Sequence, residues 1–287
     1  MKYYYLITGL PTISLEDNKI VYTVDDFWQE ISPALSKSDR KLMQIYFLCY
    51  DNENIVRYLT AAATSFDPRG LYTYTEIDEV YRDIKGYDLV PANRLPVYMI
   101  DFFRKHAELD DKDERDIVKT EDLLSSFFYA YAMRSKNEFV RDWYELCLNI
   151  NNVLTAITCR KYGLDKADYI VGDNEVALAI RSSNVRDFGL GNDIDYFQDL
   201  VRISEETDLM AREKRIDLLK WNWLSDNTFF KTFDAEALFA YMLKLEMIER
   251  WLNLDKATGE KTFREMVGVL TKESRESLNE FKKRNAK

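Results

Sequence analysis

Apolar residues recur three and four positions apart along most of the chain. The clearest run is "NEFVRDWYELCLNINNVLTAITCRKYG", where Phe139, Trp143, Leu146, Cys147, Ile150, Leu154 and Ile157 form one helical stripe. Gly163 stands directly after it, at the position where a left-handed glycine ends a helix. The same spacing in "VDDFWQEISPALSKSDRKLMQIYFLCYDNENIVRYLTAAA" predicts a helix, a break near Ser32-Pro33 and a second helix. Ser38 and Asp39 are the cap types ahead of Leu42, Ile45, Leu48 and Cys49. "FDPRGLYTYT" reads as a turn punctuated by Pro68 and Gly70. "GYDLVPANRLPVYM" reads as a linker, because Pro91 and Pro96 follow Gly86 closely and neither proline can continue a helix.

Helices are further predicted over "EDLLSSFFYAYAM" and over "NEVALAIR", with Asp173 as N-cap of the latter and "FGLGND" as the loop after it. One helix is predicted across "IDYFQDLVRISEETDLMAREKRIDLLKWNWL" and one across "FDAEALFAYMLKLEMIERWLNLDKATG". The pattern therefore predicts an all-α protein.

Composition supports this expectation. The 287 residues include only 9 Gly and 5 Pro against 31% charged residues, a balance that favours long helices over turn-rich sandwiches. With 46% hydrophobic residues the chain can bury one large core or two to three smaller lobes. The formal net charge of −10 argues against a nucleic-acid partner, since that affinity rests on neutralising phosphates. The basic cluster "EFKKRNAK" reads as a solvated helix end.

The start, "MKYYYLITGLPTIS", fits neither a signal nor an anchor. Pro11 interrupts its short apolar run, no Ala-x-Ala site follows, and a spanning helix needs about 20 apolar residues. It is expected to belong to the fold. The longest uncharged runs, Leu123 to Met133 and Leu146 to Cys159, have the length of core helices, so no direct membrane span is expected. Cys49, Cys147 and Cys159 show no CxxC spacing, which fits a reducing cytosol and neither a disulfide framework nor a zinc site.

Catalytic chemistry is scarce. His106 is the only histidine and lies in "FRKHAELDDKDERD", so dense in charge that an exposed position is expected. Gly189 and Gly191 have G-x-G spacing but lack the third glycine and a preceding strand. In "ISEETDLMAREKRIDLL" acids and bases alternate three and four apart, the pattern of a solvated helix face. The expectation is a non-enzyme with no cofactor, metal or small-molecule substrate. A carboxylate hydrolase would require two converging, strongly perturbed carboxyls.

Three helices share a pattern when aligned from Tyr46, Tyr144 and Tyr241, starts that lie 98 and 97 residues apart: "YFLCYDNENIVR", "YELCLNINNVLT" and "YMLKLEMIERWL". Each carries a polar residue five on (Asp51, Asn149, Glu246) and another eight on (Asn54, Asn152, Glu249). A polar pair inside an apolar stripe must be hydrogen-bonded, because an unsatisfied group costs about 1–3 kcal/mol. Asp51, Asn54, Asn149 and Asn152 are thus expected to fix how helices dock. The near-equal steps predict an elongated protein of three related helical lobes in a pseudo-threefold arrangement, over 1–105, 106–200 and 201–287.

"YYYLITGLP", "FVRDWYELCLNINNVLTAITCRKYG", "DLMAREKRIDLLKWNWL" and "YMLKLEMIERWLNLD" together resemble a bacterial family encoded with the subunits of V-type (A-type) rotary ATPases. That family is more distantly similar to the central-stalk subunit, called C or d, an all-helical funnel of three lobes that seats the rotating shaft on the membrane ring. Its helix pattern is matched by Asp51/Asn54/Ile55 and by Asn149/Asn152/Val153. The third copy departs, with Glu249 and Arg250, and the basic residue that the pattern places at 158 is Thr158, with Arg160 and Lys161 following.

The resemblance implies a non-catalytic, cytoplasmic stalk connector, peripheral at the inner face of the membrane, whose partners are the shaft and ring subunits. It also implies that the tyrosine-rich start docks into the fold. Arg160, Lys161 and Arg181 are the candidate interaction residues. A stand-alone acidic helical adaptor that binds another protein is the alternative.

Overall fold

The computed structural model describes residues 2–60, 66–86, 93–110, 117–191, 193–231 and 233–254. Among these, every regular element is helical. The α-helices are α1 (Tyr4–Thr8), α2 (Val24–Ile31), α3 (Lys37–Leu59), α4 (Tyr74–Lys85), α5 (Val97–Asp110), α6 (Ile117–Ala132), α7 (Glu138–Tyr162), α8 (Glu175–Ser182), α9 (Phe197–Ser204), α10 (Leu209–Thr228) and α11 (Ala235–Asn253), with single 3-10 turns at Ser32–Ala34 and Lys166–Asp168. The chain is all-α.

Local capping explains where these helices begin. Thr23 and Thr73 form capping boxes with Asp26 and Glu76, satisfying N–H groups that have no intrahelical acceptor at the starts of α2 and α4. The start of α3 differs from expectation: Ser36, rather than Ser38, is the N-cap. Pro33 draws residues 32–34 into the 3-10 turn, so the first extended residue that can accept a bond is Ser36, from Asp39 N at 3.2 Å. Asn174, rather than Asp173, likewise caps α8 through Ala177 N, leaving Asp173 to pair with Arg181.

The single helix expected over 194–224 is two helices. Asp208 accepts from Met210 N at 2.8 Å and Ala211 N at 3.3 Å, so α10 starts afresh after a short break. Gly163 does close α7, in the left-handed region at φ 67°. Gly86 closes α4. Pro96 sits immediately before α5, whereas Pro91 and the tail from 255 onward, including "EFKKRNAK", lie outside the described residues.

The core is one continuous apolar cluster that runs from Tyr3 to Met247 and draws on all parts of the chain. Helix α6 packs against α3, α5 and α7, helix α9 bridges α7 and α10, and α11 packs against α10 and against α2 from the far end of the chain. Because α3 and α7 are covered on several sides, their buried faces are wider than a single stripe. In α3 it is Met43, Tyr46, Phe47 and Ile55 that are fully covered, while Leu42, Ile45 and Cys49 are half-buried.

His106 corrects the sequence expectation. It is buried beside Phe102, and its Nδ1 lies 2.9 Å from the Tyr81 hydroxyl. One turn of helix separates it from Phe102, so it shares the apolar face of α5 although Arg104, Lys105 and Glu108 around it carry charge.

At the start of the chain, Tyr3 is buried. Its hydroxyl donates to Asp39 and accepts from Ser36 N, and its own N–H donates to Phe233 O at 3.1 Å. The first segment is thereby fastened to both the start of α3 and the turn before α11. Tyr5 points outward and is 90% exposed, so the three tyrosines do not share one role. Among the described residues no helix is long and apolar enough to cross a membrane.

Candidate functional site

The polar residues of the recurring pattern are all buried or half-buried, and five of the six bond to a turn, a cap or the first residue of a short helix. On α3, Asn54 Oδ1 accepts from Asp67 N at 2.7 Å while its Nδ2 donates to Asp67 O at 3.0 Å. One turn away Asp51 accepts from Leu71 N and Tyr72 N, each at 3.0 Å, immediately upstream of the Thr73 cap of α4. The turn 67–72 is thus held by two side chains of α3 in place of a backbone ladder.

Helix α7 repeats the device. Asn152 Oδ1 accepts from Val171 N at 3.0 Å and its Nδ2 donates to Val171 O at 2.8 Å. Asn149 Oδ1 accepts from the side chain of Asn174, the N-cap of α8, and its Nδ2 donates weakly to Tyr196. These bonds run to turns and caps, so they fix the path of the chain between helices instead of joining two helices directly.

In the third copy only the position eight after the tyrosine makes the contact. Glu249 Oε2 accepts from Val24 N at 3.0 Å, at the first turn of α2, 225 residues earlier in the chain. Glu246 instead faces α3 and α7. Burial raises its pKa, and its charge helps to raise those of Cys49 and Cys147.

The basic candidates have separate places. Arg160 donates to the carbonyls of Val185 and Arg186 and stacks on Phe188, with its guanidinium carbon 4.1 Å from the ring centre. Arg181 joins Ile170 O at 2.7 Å to Asp173. Both pin local turns. Lys161 is exposed beside Tyr162. The seven residues therefore form two buried clusters and three surface positions, and they do not converge on one site.

Asp51 carries a pH prediction. Burial pushes its carboxyl up to about 6 against the pull of the two N–H donors, with the nearby Glu76 charge adding to the rise. A folded-state value above the ordinary 3.8 means that the folded chain binds this proton more tightly. The group's contribution to stability is full below pH about 4 and is lost as the pH rises through about 6, by at most about 3 kcal/mol. Asp51→Asn does not titrate, so its penalty relative to the parent should shrink between pH 4.5 and 7 in urea unfolding monitored by circular dichroism. A penalty that grows with pH would contradict this assignment.

Over residues 1–274 the chain matches the family described as protein of unknown function (DUF2764). The chain belongs to this family. No curated protein and no solved structure matches it.

Two further features have no plain signature in the sequence. Asp217, within the segment expected to be a solvated face, is 1% exposed and accepts from Trp251 Nε1 at 2.7 Å and from Arg250 Nη2. Its partners lie more than thirty residues away on α11, so local charge spacing carries no sign of them. The second feature is an open groove of about 1160 Å³ between α7, α8, α9 and α10, with Val176, Leu190, Ile194 and Ile203 in its floor. A stripe of Leu218, Leu219, Asn222 and Trp223 on α10 is the available signal, and it is interrupted by charge. Among the described residues no cluster of three or more His, Cys, Asp or Glu side chains is arranged to hold a metal ion.

Proposed function

We propose that the chain is a non-catalytic subunit of a V-type (A-type) rotary ATPase, a central-stalk connector between the rotor shaft and the membrane ring. The observation that carries this reading is the recurrence of one device, a polar residue on a long helix that bonds to the backbone leading into or opening a shorter one. Asn54 holds Asp67 in the turn before α4, Asn152 holds Val171 in the turn before α8, and half-buried Glu249 at the matching position accepts from Val24 N in the first turn of α2. In the third case the short helix comes from the opposite end of the chain, and the residues of all three segments belong to one core cluster. Three related helical lobes of this kind are what the resemblance to the stalk subunits implies. A connector of this type acts by shape and surface contact, as a peripheral cytoplasmic component at the inner face of the membrane.

The acid-rich groove also favours the second reading, a helical adaptor that works apart from the ATPase. Affinity purification of the tagged chain from gently solubilised native membranes, followed by mass spectrometry, separates the two. Co-purification of catalytic and shaft subunits is expected. Recovery without them, from cells that contain the assembled ATPase, would overturn the stalk assignment in favour of the adaptor.

A further inference from the structure

The groove has a directional shape. Arg215, Leu218, Leu219, Asn222, Trp223 and Asp226 of α10 line it at spacings of three, one, three, one and three, so a whole face of that helix borders it for about three turns, or about 16 Å. Leu218 is 48% exposed, while Trp223 is half-buried with one side packed on Phe139 and Trp143, so the apolar part of that face is only partly covered by the rest of the chain. At about 1160 Å³ and open to solvent, the groove exceeds the roughly 300–1,000 Å³ of small-molecule pockets and suits a segment of secondary structure.

Its charge is one-sided. The two arginines at its rim are already matched, Arg215 by Glu206 at 2.9 Å and Arg202 by Asp199 at 3.3 Å. Glu145, Glu175, Asp193, Asp195 and Asp226 also line it, and none of these five has an ion-pair partner among the described residues. Five surplus carboxylates around an apolar strip repel an acidic partner and attract a basic one.

We propose that this groove docks a basic amphipathic α-helix of a partner protein, with the apolar stripe of that helix on Leu218 and Trp223 and its lysines or arginines facing Glu175, Asp193, Asp195 and Asp226. This is the helix-in-groove mode, in which anchors at i, i+3, i+4 and i+7 provide contact area and flanking charge provides selection. The inference does not depend on the stalk assignment, because any partner of this chemistry fits.

The test uses the full chain and a labelled synthetic peptide of about 14 residues with a leucine stripe and lysine flanks. A scrambled peptide of the same composition and a glutamate-flanked analogue serve as controls. Binding is read by fluorescence anisotropy. Asp193, Asp195 and Asp226 are exposed, so Asp193→Asn, Asp195→Asn and Asp226→Asn can be combined without disturbing the core.

The lysine peptide should bind, weaken clearly between about 50 and 300 mM salt, and lose about tenfold in affinity to the triple variant. Leu218→Asp should also weaken it. Equal binding of the scrambled peptide, or unchanged affinity in the triple variant, would overturn the proposal. So would a concentration-dependent dimer that the triple variant abolishes, since a second copy would then occupy the groove.

Discussion

Gly70→Ala is expected to lower the stability of the chain by about 2–4 kcal/mol. A Cβ at this position would lie 2.7 Å from Asp51 Oδ1 and 2.8 Å from Asn54 Nδ2, and both side chains are fully buried. Neither can move aside freely. Displacing Asp51 strands the N–H groups of Leu71 and Tyr72, and displacing Asn54 strands the N–H of Asp67 and leaves its carbonyl with only the Gly70 N–H. The glycine is required here by close approach, since its backbone is not among the left-handed ones.

Gly163 provides the contrast. It has φ 67°, and no atom lies within 4 Å of the place a Cβ would take, so alanine there should cost only the left-handed strain of about 1–2 kcal/mol. Urea unfolding of the two variants checks the order, and a double variant checks the cause. In an Asn54→Ala background, where one of the two blocking atoms is gone, Gly70→Ala should cost about 1–2 kcal/mol less than in the parent. Strict additivity would mean that the turn adjusts and that the side-chain cradle is not what demands the glycine.

These contacts also mark how far the sequence can be read. The helices are legible because their apolar spacing is continuous, and Asn54 and Asn152 stand out as amides inside apolar stripes. Their partners are not legible, because the bonds run to backbone groups 13 and 19 residues onward, and backbone has no sequence signature. Cap positions differ by one or two residues from expectation where Pro33 or a neighbouring Asx residue competes for the same role. His106 is misleading because the charge around it masks its helical phase, which puts it one turn from Phe102. The groove needs four helices from different parts of the chain, so no local pattern can define its walls.

The pairing of α10 with α11 should show a marked asymmetry between its two ends. The Asp217 side chain is 2% exposed, whereas that of Arg250 is 40% exposed. Arg250→Met therefore leaves a carboxylate sealed in the helix interface with only Trp251 Nε1 to solvate it, at a cost of about 3–5 kcal/mol. Asp217→Asn keeps an acceptor for Trp251 and releases the guanidinium toward water, so about 1–2 kcal/mol is expected. In the double variant Asp217→Asn with Arg250→Met the Asp217 charge is gone and only Glu246 loses its compensating guanidinium, so the loss should fall clearly below that of Arg250→Met alone. Urea midpoints of the three variants decide the matter, and equal losses from the two single changes would mean that water reaches Asp217.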